Sequence, residues 1–294
     1  MNQTYFLGAN SKDGFASLYR YFPGDPAAYL HILKGGPGTG KSSFMRRIGE
    51  AAQKQGLDVH YVLCSGDPAS LDGVYLPQRH LAWMDGTAPH AAEPRFFGVD
   101  ADYVNLGSFF SPGFSPDEQQ AIRDLNREYK ALYREAYAEL KKGYVPSAIE
   151  AENPGRPVLP TCPDEPVYPA RRFLHAISCE GELWLDRELE ALAPVQTLVS
   201  PGELLALSRE ADRLRLSVIR CPSPLDPLRL EALILPGAGQ AYCTPRTPCA
   251  SETVLERLRE AKGLHDQLEA LYRPHMDFEA LTLYTEAVIQ QLFS

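Results

Sequence analysis

Three short apolar runs mark the first half of the chain: Tyr29-Leu30-His31-Ile32-Leu33, Val59-His60-Tyr61-Val62-Leu63-Cys64 and Leu81-Ala82-Trp83-Met84-Asp85. Continuous apolar runs of this length, bounded by turn residues, predict buried strands. Between the first two, Phe44, Met45, Ile48, Ala51 and Ala52 recur at helical spacing, and Gly56 is placed to end that helix. Ahead of them, Tyr5-Phe6-Leu7 predicts a strand, Gly8 to Gly14 a turn and Phe15 to Tyr21 a short helix, which Pro23-Gly24-Asp25-Pro26 breaks. From Asp117 to Lys142, Ile122, Leu125, Tyr129, Leu132, Ala136 and Leu140 trace one stripe amid Glu, Arg and Lys. That predicts a long helix, either packed on a sheet or projecting as one arm of a helical hairpin.

The pattern then changes. Pro154, Pro157, Pro160, Pro163, Pro166 and Pro169 fall at every third residue. Polyproline II has about three residues per turn and rises about 3.1 Å per residue, so these prolines would line one face of an extended rod. A stiff spacer or a strap across the fold is expected, with a ligand for an aromatic groove as the alternative.

After the prolines the first half is repeated. Phe6-Leu7-Gly8-Ala9 is answered by Phe173-Leu174-His175-Ala176, and Ser11, Gly14, Leu18 and Arg20 by Ser178, Gly181, Leu185 and Arg187. Asp67-Pro68 through Leu76-Pro77 is answered by Asp226-Pro227 through Leu235-Pro236 at constant spacing, and Glu252 to Leu271 supplies a second charged amphipathic helix. The expected organisation is a domain over 1–143, a proline-rich linker over 144–170, and a related domain with C-terminal helices over 171–294.

Bulk properties narrow the setting. A chain of 294 residues with 44% hydrophobic content has the make-up of a globular protein. No stretch of about 18 apolar residues predicts a membrane span, and Met1 to Gly8 lacks the basic and apolar regions of a secretory signal, so a cytoplasmic protein is expected. The net charge of −9 argues against general affinity for nucleic acid. Six cysteines (Cys64, Cys162, Cys179, Cys221, Cys243 and Cys249) show no C-x-x-C spacing, which gives no zinc signature and suggests free thiols.

The chemistry is concentrated at Gly35-Gly36-Pro37-Gly38-Thr39-Gly40-Lys41-Ser42, which fits the phosphate-binding pattern G-x-x-x-x-G-K-[ST] between a predicted strand and a predicted helix. Glycines let backbone N–H groups approach phosphate oxygens, and the helix presents its positive end to the same anion. Gly36, Pro37, Gly38, Thr39, Gly40, Lys41, Ser42 and Ser43 are therefore the expected nucleotide-binding residues, with Lys41 on the β- and γ-phosphates and the Ser42 hydroxyl on Mg²⁺. Asp85, closing an apolar run, is the expected second metal residue (the Walker B position). Many ATPases of this kind place a glutamate next, but Gly86 follows here, so the base must come from elsewhere; Asp67, Asp72 and His90 are the candidates. In the second half, Val195 to Leu204 has one glycine and no lysine, and Thr244 stands where Asp85 stood. That copy is not expected to hold Mg²⁺ and a nucleotide.

The chain resembles a poorly characterised family of bacterial P-loop ATPases built from two similar halves. The resemblance is carried by Ile32 to Ser42, by Ser70-Leu71-Asp72-Gly73-Val74, by Asp85-Gly86-Thr87-Ala88-Pro89-His90 and by Met276-Asp277-Phe278-Glu279-Ala280, and covers most of the chain outside the proline segment. It implies an α/β fold, a duplicated P-loop NTPase three-layer sandwich with long helices after each copy, together with nucleotide binding and ATP hydrolysis. Members of that family keep a phosphate loop in the second half. This chain departs from them there, which tells against any mechanism needing two working sites. The expected activity is a Mg²⁺-dependent ATPase acting on an unidentified protein or small-molecule partner. The alternatives are a small-molecule or nucleotide kinase and an ATP-responsive binding module.

Overall fold

In the computed structural model, which describes residues 1–145, 158–160 and 166–294, the chain opens with strand β1 (Gln3–Phe6) and a hairpin of β2 (Gly8–Ser11) and β3 (Gly14–Ser17). There follow β4 (Tyr29–Lys34), α1 (Lys41–Lys54), β5 (His60–Leu63), β6 (Leu71–Leu76), β7 (Leu81–Asp85), β8 (Ala101–Asn105) and α2 (Pro116–Gly143). Beyond the proline segment come β9 (His175–Ser178), β10 (Gly181–Trp184), α3 (Asp186–Leu192), β11 (Val195–Leu198), α4 (Pro201–Arg213), β12 (Ile219–Pro222), β13 (Leu230–Leu235) and β14 (Gln240–Cys243). Helices α5 (Glu252–Tyr272) and α6 (Phe278–Phe293) close the chain. The fold is thus mixed α/β, with a largely parallel sheet and six α-helices among the described residues.

Local chemistry sets the helix ends. Ser115 caps α2 by accepting from the Glu118 N–H, Glu118 reaches back to the Ser115 N–H at 2.7 Å, and Pro116 occupies the first turn. The same box recurs at α4 with Ser200, Pro201 and Glu203. Helix α1 starts from Gly40 at φ 83° and stops before Gly56 at φ 77°, both left-handed positions that favour glycine.

The first sheet has six strands in the order β1-β5-β6-β7-β4-β8, all parallel except β6, which runs against β5 and β7. The second has four, in the order β11-β14-β13-β12. Its pairing senses, parallel for β11 with β14 and antiparallel elsewhere, repeat those of β4-β7-β6-β5. Each sheet carries an irregularity at the matching place, between Val62 and Leu63 and between Cys221 and Pro222.

The two halves share one core. Phe6 and Phe173 exchange backbone hydrogen bonds of 3.0 and 2.9 Å, and their buried rings lie in a single cluster with Tyr5, Leu7, Leu174 and Ile219. Helix α2 lies along α5, so it is one arm of a helix pair, and Ala136 and Leu140 bury against Val254 and Leu258. Of the proline segment, Pro154, Pro157 and Pro163 lie outside the described residues. Leu159 is buried against Leu204, Leu207 and Val218, so the chain lies on the second half at that point.

The expected helix over Phe15 to Tyr21 is instead β3 followed by a single 3-10 turn, Tyr19–Tyr21. Gly14 at φ 112° closes a tight hairpin turn, and the Ser11 hydroxyl donates to the Gly14 carbonyl at 2.6 Å. The Phe15 ring lies so close over Gly8 that a Cβ there would sit 2.6 Å from it. No helix among the described residues is long and apolar enough to cross a membrane.

Candidate functional site

Strand β4 runs between β7 and β8, and the loop Gly35–Gly40 leaves its carboxyl end to start α1. Gly38 (φ 66°) and Gly40 (φ 83°) turn the loop back on itself. Within it, the Thr39 hydroxyl donates to the Gly36 carbonyl at 2.9 Å. Lys41 Nζ folds over the loop, donating to the carbonyls of Gly35 at 3.0 Å and Gly36 at 2.9 Å, and lies 3.6 Å from Asp85 Oδ2. Asp85 ends β7 in register with Leu33 of β4, which explains how residues 44 apart in sequence meet. Its Oδ1 accepts from the Thr87 N–H at 2.8 Å and hydroxyl at 2.6 Å, leaving Oδ2 facing the lysine. Ser42 Oγ accepts from the Leu71 N–H at 2.9 Å, tying the start of β6 to the first turn of α1.

The outer side of the loop is covered from the far end of the chain. A Cβ at Gly36 would lie 3.2 Å from the Tyr272 ring, one at Gly38 3.1 Å from the Glu269 carbonyl, and one at Gly40 2.8 Å from Leu281 Cδ2. The left-handed backbone favours glycine at Gly38 and Gly40, and the close approach of α5 and α6 leaves little room for a side chain at all three positions.

The inner side opens on a cavity of about 860 Å³. All of the loop from Gly35 to Ser43 lines it, together with Asp67, Asp72, Asp85 and His90. A cleft of several hundred Å³ with convergent polar groups is the usual form of a small-molecule site.

The three candidate bases fare differently. Asp67 is engaged in its own turn: its Oδ2 accepts from the Ser70 hydroxyl at 2.9 Å and lies 3.6 Å from Lys262 Nζ. Asp72 and His90 are brought together, with His90 Nε2 3.4 Å from Asp72 Oδ2, and both are buried. The Tyr19 hydroxyl donates to the same carboxylate at 2.5 Å. Burial is the largest influence on Asp72 and raises its pKa above the usual carboxylate value, with nearby Asp85 adding to the rise. His90 Nδ1 is buried with no hydrogen-bond partner.

Gly86 has its own steric explanation. A Cβ there would lie 2.2 Å from Ile32 Cγ2, an atom of the buried core, and 3.3 Å from the Leu33 carbonyl. No glutamate fits at that position. Gly86→Ala is expected to cost about 1–3 kcal/mol of stability, the usual cost of overpacking, measured by urea denaturation; an unchanged midpoint would show that β4 and β7 yield easily here.

No family model matches the chain, and neither a curated protein nor a solved structure matches it.

Sequence reasoning did not single out the cations opposite the loop. Lys130 and Arg134 of α2 and Arg273 beyond α5 line the cavity, and none of their side chains forms an ion pair or hydrogen bond among the described residues. Three cations lining one cavity with a glycine-rich loop give that cavity a positive wall, which attracts anions. Tyr129, Tyr133 and Tyr137 line the same wall, with successive rings 5.0 and 5.9 Å apart. The spacing of four between Lys130 and Arg134 was visible in the sequence, but a solvated helix face has the same spacing.

The matching place in the second half carries no such chemistry. Strand β11 passes directly to the capped start of α4, and Thr244 bonds back to the Glu231 carbonyl through its N–H at 2.9 Å.

Proposed function

We propose that this protein binds ATP with Mg²⁺ on the Gly35–Ser42 loop and hydrolyses it to drive a step on an unidentified protein or small-molecule partner. The observation that carries the proposal is the convergence of three groups on one cavity: Lys41 and Ser42 at the start of α1, and Asp85 at the end of the neighbouring strand, 3.6 Å from the lysine. In the bound state Lys41 exchanges the loop carbonyls for phosphate oxygens, Ser42 and Asp85 hold Mg²⁺, and the backbone N–H groups of the loop cradle the phosphates. Lys130, Arg134 and Arg273 neutralise charge from the opposite wall. The fold proposed is accordingly a duplicated P-loop three-layer sandwich whose second copy no longer binds nucleotide. The recurring strand order of the two sheets supports it.

One observation favours a second possibility, phosphoryl transfer to a small-molecule hydroxyl. The buried Asp72–His90 pair faces the same cavity, where it is able to take the proton of an acceptor as readily as that of water. Purified protein with Mg²⁺ and ATP separates the outcomes. Phosphate release without an acceptor supports hydrolysis, and transfer only in the presence of a metabolite extract supports the kinase. Binding without turnover under either condition would leave a nucleotide-responsive module.

Either chemistry needs a base. Asp72→Asn or His90→Ala is expected to lower the rate tenfold or more, the order of a general-base contribution. Asp72→Asn has a second expected effect. A carboxyl whose folded pKa is raised binds its proton more tightly in the native state. The native state therefore loses stability as pH rises from the ordinary carboxylate pKa through the raised one. The neutral amide removes that loss, so the variant should melt higher than wild type at neutral pH, and the difference should vanish in acid. A variant that melts lower at neutral pH would mean that the Tyr19 and His90 contacts outweigh the burial of charge.

A further inference from the structure

We propose that His175, Glu182 and Cys249 form a binding site for a borderline transition-metal ion of the Zn²⁺ class, in the second half of the chain and apart from the glycine loop. The three residues come from separate segments: the first residue of β9, the middle of β10, and the stretch leading into α5. One donor atom from each, an imidazole nitrogen, a carboxylate oxygen and the Cys249 Sγ, lies within 4.8 Å of the others.

The arrangement around these atoms is that of oriented ligands. His175 is 1% exposed. Its Nδ1 lies 3.2 and 3.3 Å from the two oxygens of Glu231 and donates to that carboxylate; burial opposes charge on the ring, but Glu182 and Glu231 together raise its pKa, so Nε2 is the position where an ion would replace a proton. Nε2 is buried, has no hydrogen-bond partner, and points to Glu182 Oε2 at 3.4 Å. A histidine held by a carboxylate through one nitrogen, with the other free, is the usual outer support of a metal-bound imidazole. Trp184 fixes the ring plane, stacking on it at 3.7 Å between centroids and 13° between planes. Glu182 is fixed as well: its Oε1 accepts the N–H groups of Cys249 at 2.7 Å and Ala250 at 2.6 Å, which sets the cysteine backbone and turns Oε2 toward His175. Arg246, the nearby cation, lies over the Trp184 ring and is paired with Asp186.

Size and donor type both suit zinc. Bonds of about 2.1 Å around a tetrahedral ion separate neighbouring N and O ligands by about 3.4 Å, which is the Nε2 to Oε2 separation observed. One nitrogen, one sulfur and one oxygen favour Zn²⁺ over Mg²⁺ or Ca²⁺, which prefer oxygen alone. The competing account of the cluster is an imidazolium bridging Glu182 and Glu231. In that state burial and Glu182 hold the Cys249 thiol protonated, so an ion that binds here displaces one proton from the thiol and one from the imidazole. A bound ion would join the β9–β10 hairpin to the start of α5, the helix that reaches the glycine loop.

The test uses untagged full-length protein, stripped with a chelator and free of nucleotide. Titration with ZnCl₂ is expected to show one tight equivalent, and Co²⁺ is expected to give a thiolate-to-metal charge-transfer band. Cys249→Ser should abolish that band. Glu231→Gln, which keeps the shape but weakens the hold on Nδ1, should reduce Zn²⁺ affinity about 10–100-fold while the Co²⁺ band persists at saturating metal. Circular dichroism confirms that both variants are folded, and the wild-type titration stands without them. Absence of Zn²⁺ binding by wild type, a Co²⁺ band that survives Cys249→Ser, or unchanged affinity in Glu231→Gln would overturn the assignment.

Discussion

Lys41→Ala is expected to abolish high-affinity ATP binding and to leave no residual second phase in calorimetry. Lys41 Nζ already bonds two loop carbonyls and faces Asp85, so its charge is held over the space that phosphates would occupy. Hydrogen bonds to charged groups contribute about 1.5–3 kcal/mol each, so losing two of them weakens binding by at least about a hundredfold. The fold should survive, because the freed Gly35 and Gly36 carbonyls border the cavity and water can reach them. Stoichiometry is the sharper part of the expectation. Wild type should bind one nucleotide, since the β11–α4 junction has no lysine and Thr244 cannot supply a metal carboxylate. Two equivalents in wild type, or a tight site remaining in the variant, would show that the second half still binds nucleotide.

Asp85→Asn should separate turnover from binding. The amide keeps the oxygen that accepts from Thr87, so the turn after β7 is preserved. What disappears is the anionic oxygen opposite Lys41, the group proposed to hold Mg²⁺. Loss of one group that stabilises transition-state charge typically lowers kcat about 10²–10³-fold. Affinity for the nucleotide should change less than about tenfold, because loop N–H groups and Lys41 supply most phosphate contacts. The measurement is kcat against Mg²⁺ concentration, and unchanged turnover at limiting Mg²⁺ would remove Asp85 from the site.

What could be read in advance was local. Gly35 to Ser42 is one loop whose residues act at fixed short spacing, and Leu81 to Asp85 is a strand with the bounds its apolar run suggested. The long helix was expected over Asp117 to Lys142 and spans Pro116–Gly143, because its cap and stripe are both local signals. Strand β6 was not anticipated. It carries Asp72 and Gly73, residues that usually mark turns, yet it is buried throughout because Tyr19 pairs with the aspartate and Gly73 leaves room for Val62. The cations of α2 and the donors at His175, Glu182 and Cys249 were illegible for a different reason. Each becomes chemistry only when segments distant in sequence come together, and no spacing rule spans those distances.

Tyr272, Glu269 and Leu281 cover the outer face of the glycine loop, and that has a consequence for how the gene is divided. A fragment ending at Gly143 would retain the glycine loop, Asp85 and the Asp72–His90 pair yet lose Arg273 and the wall behind Gly36, Gly38 and Gly40, together with the Phe173 backbone that pairs with Phe6. The smallest heritable unit of this site is therefore the whole chain. On the proposed function, the second half would stay under selection as scaffolding for the first, and the two would not be free to be shuffled, swapped or expressed apart.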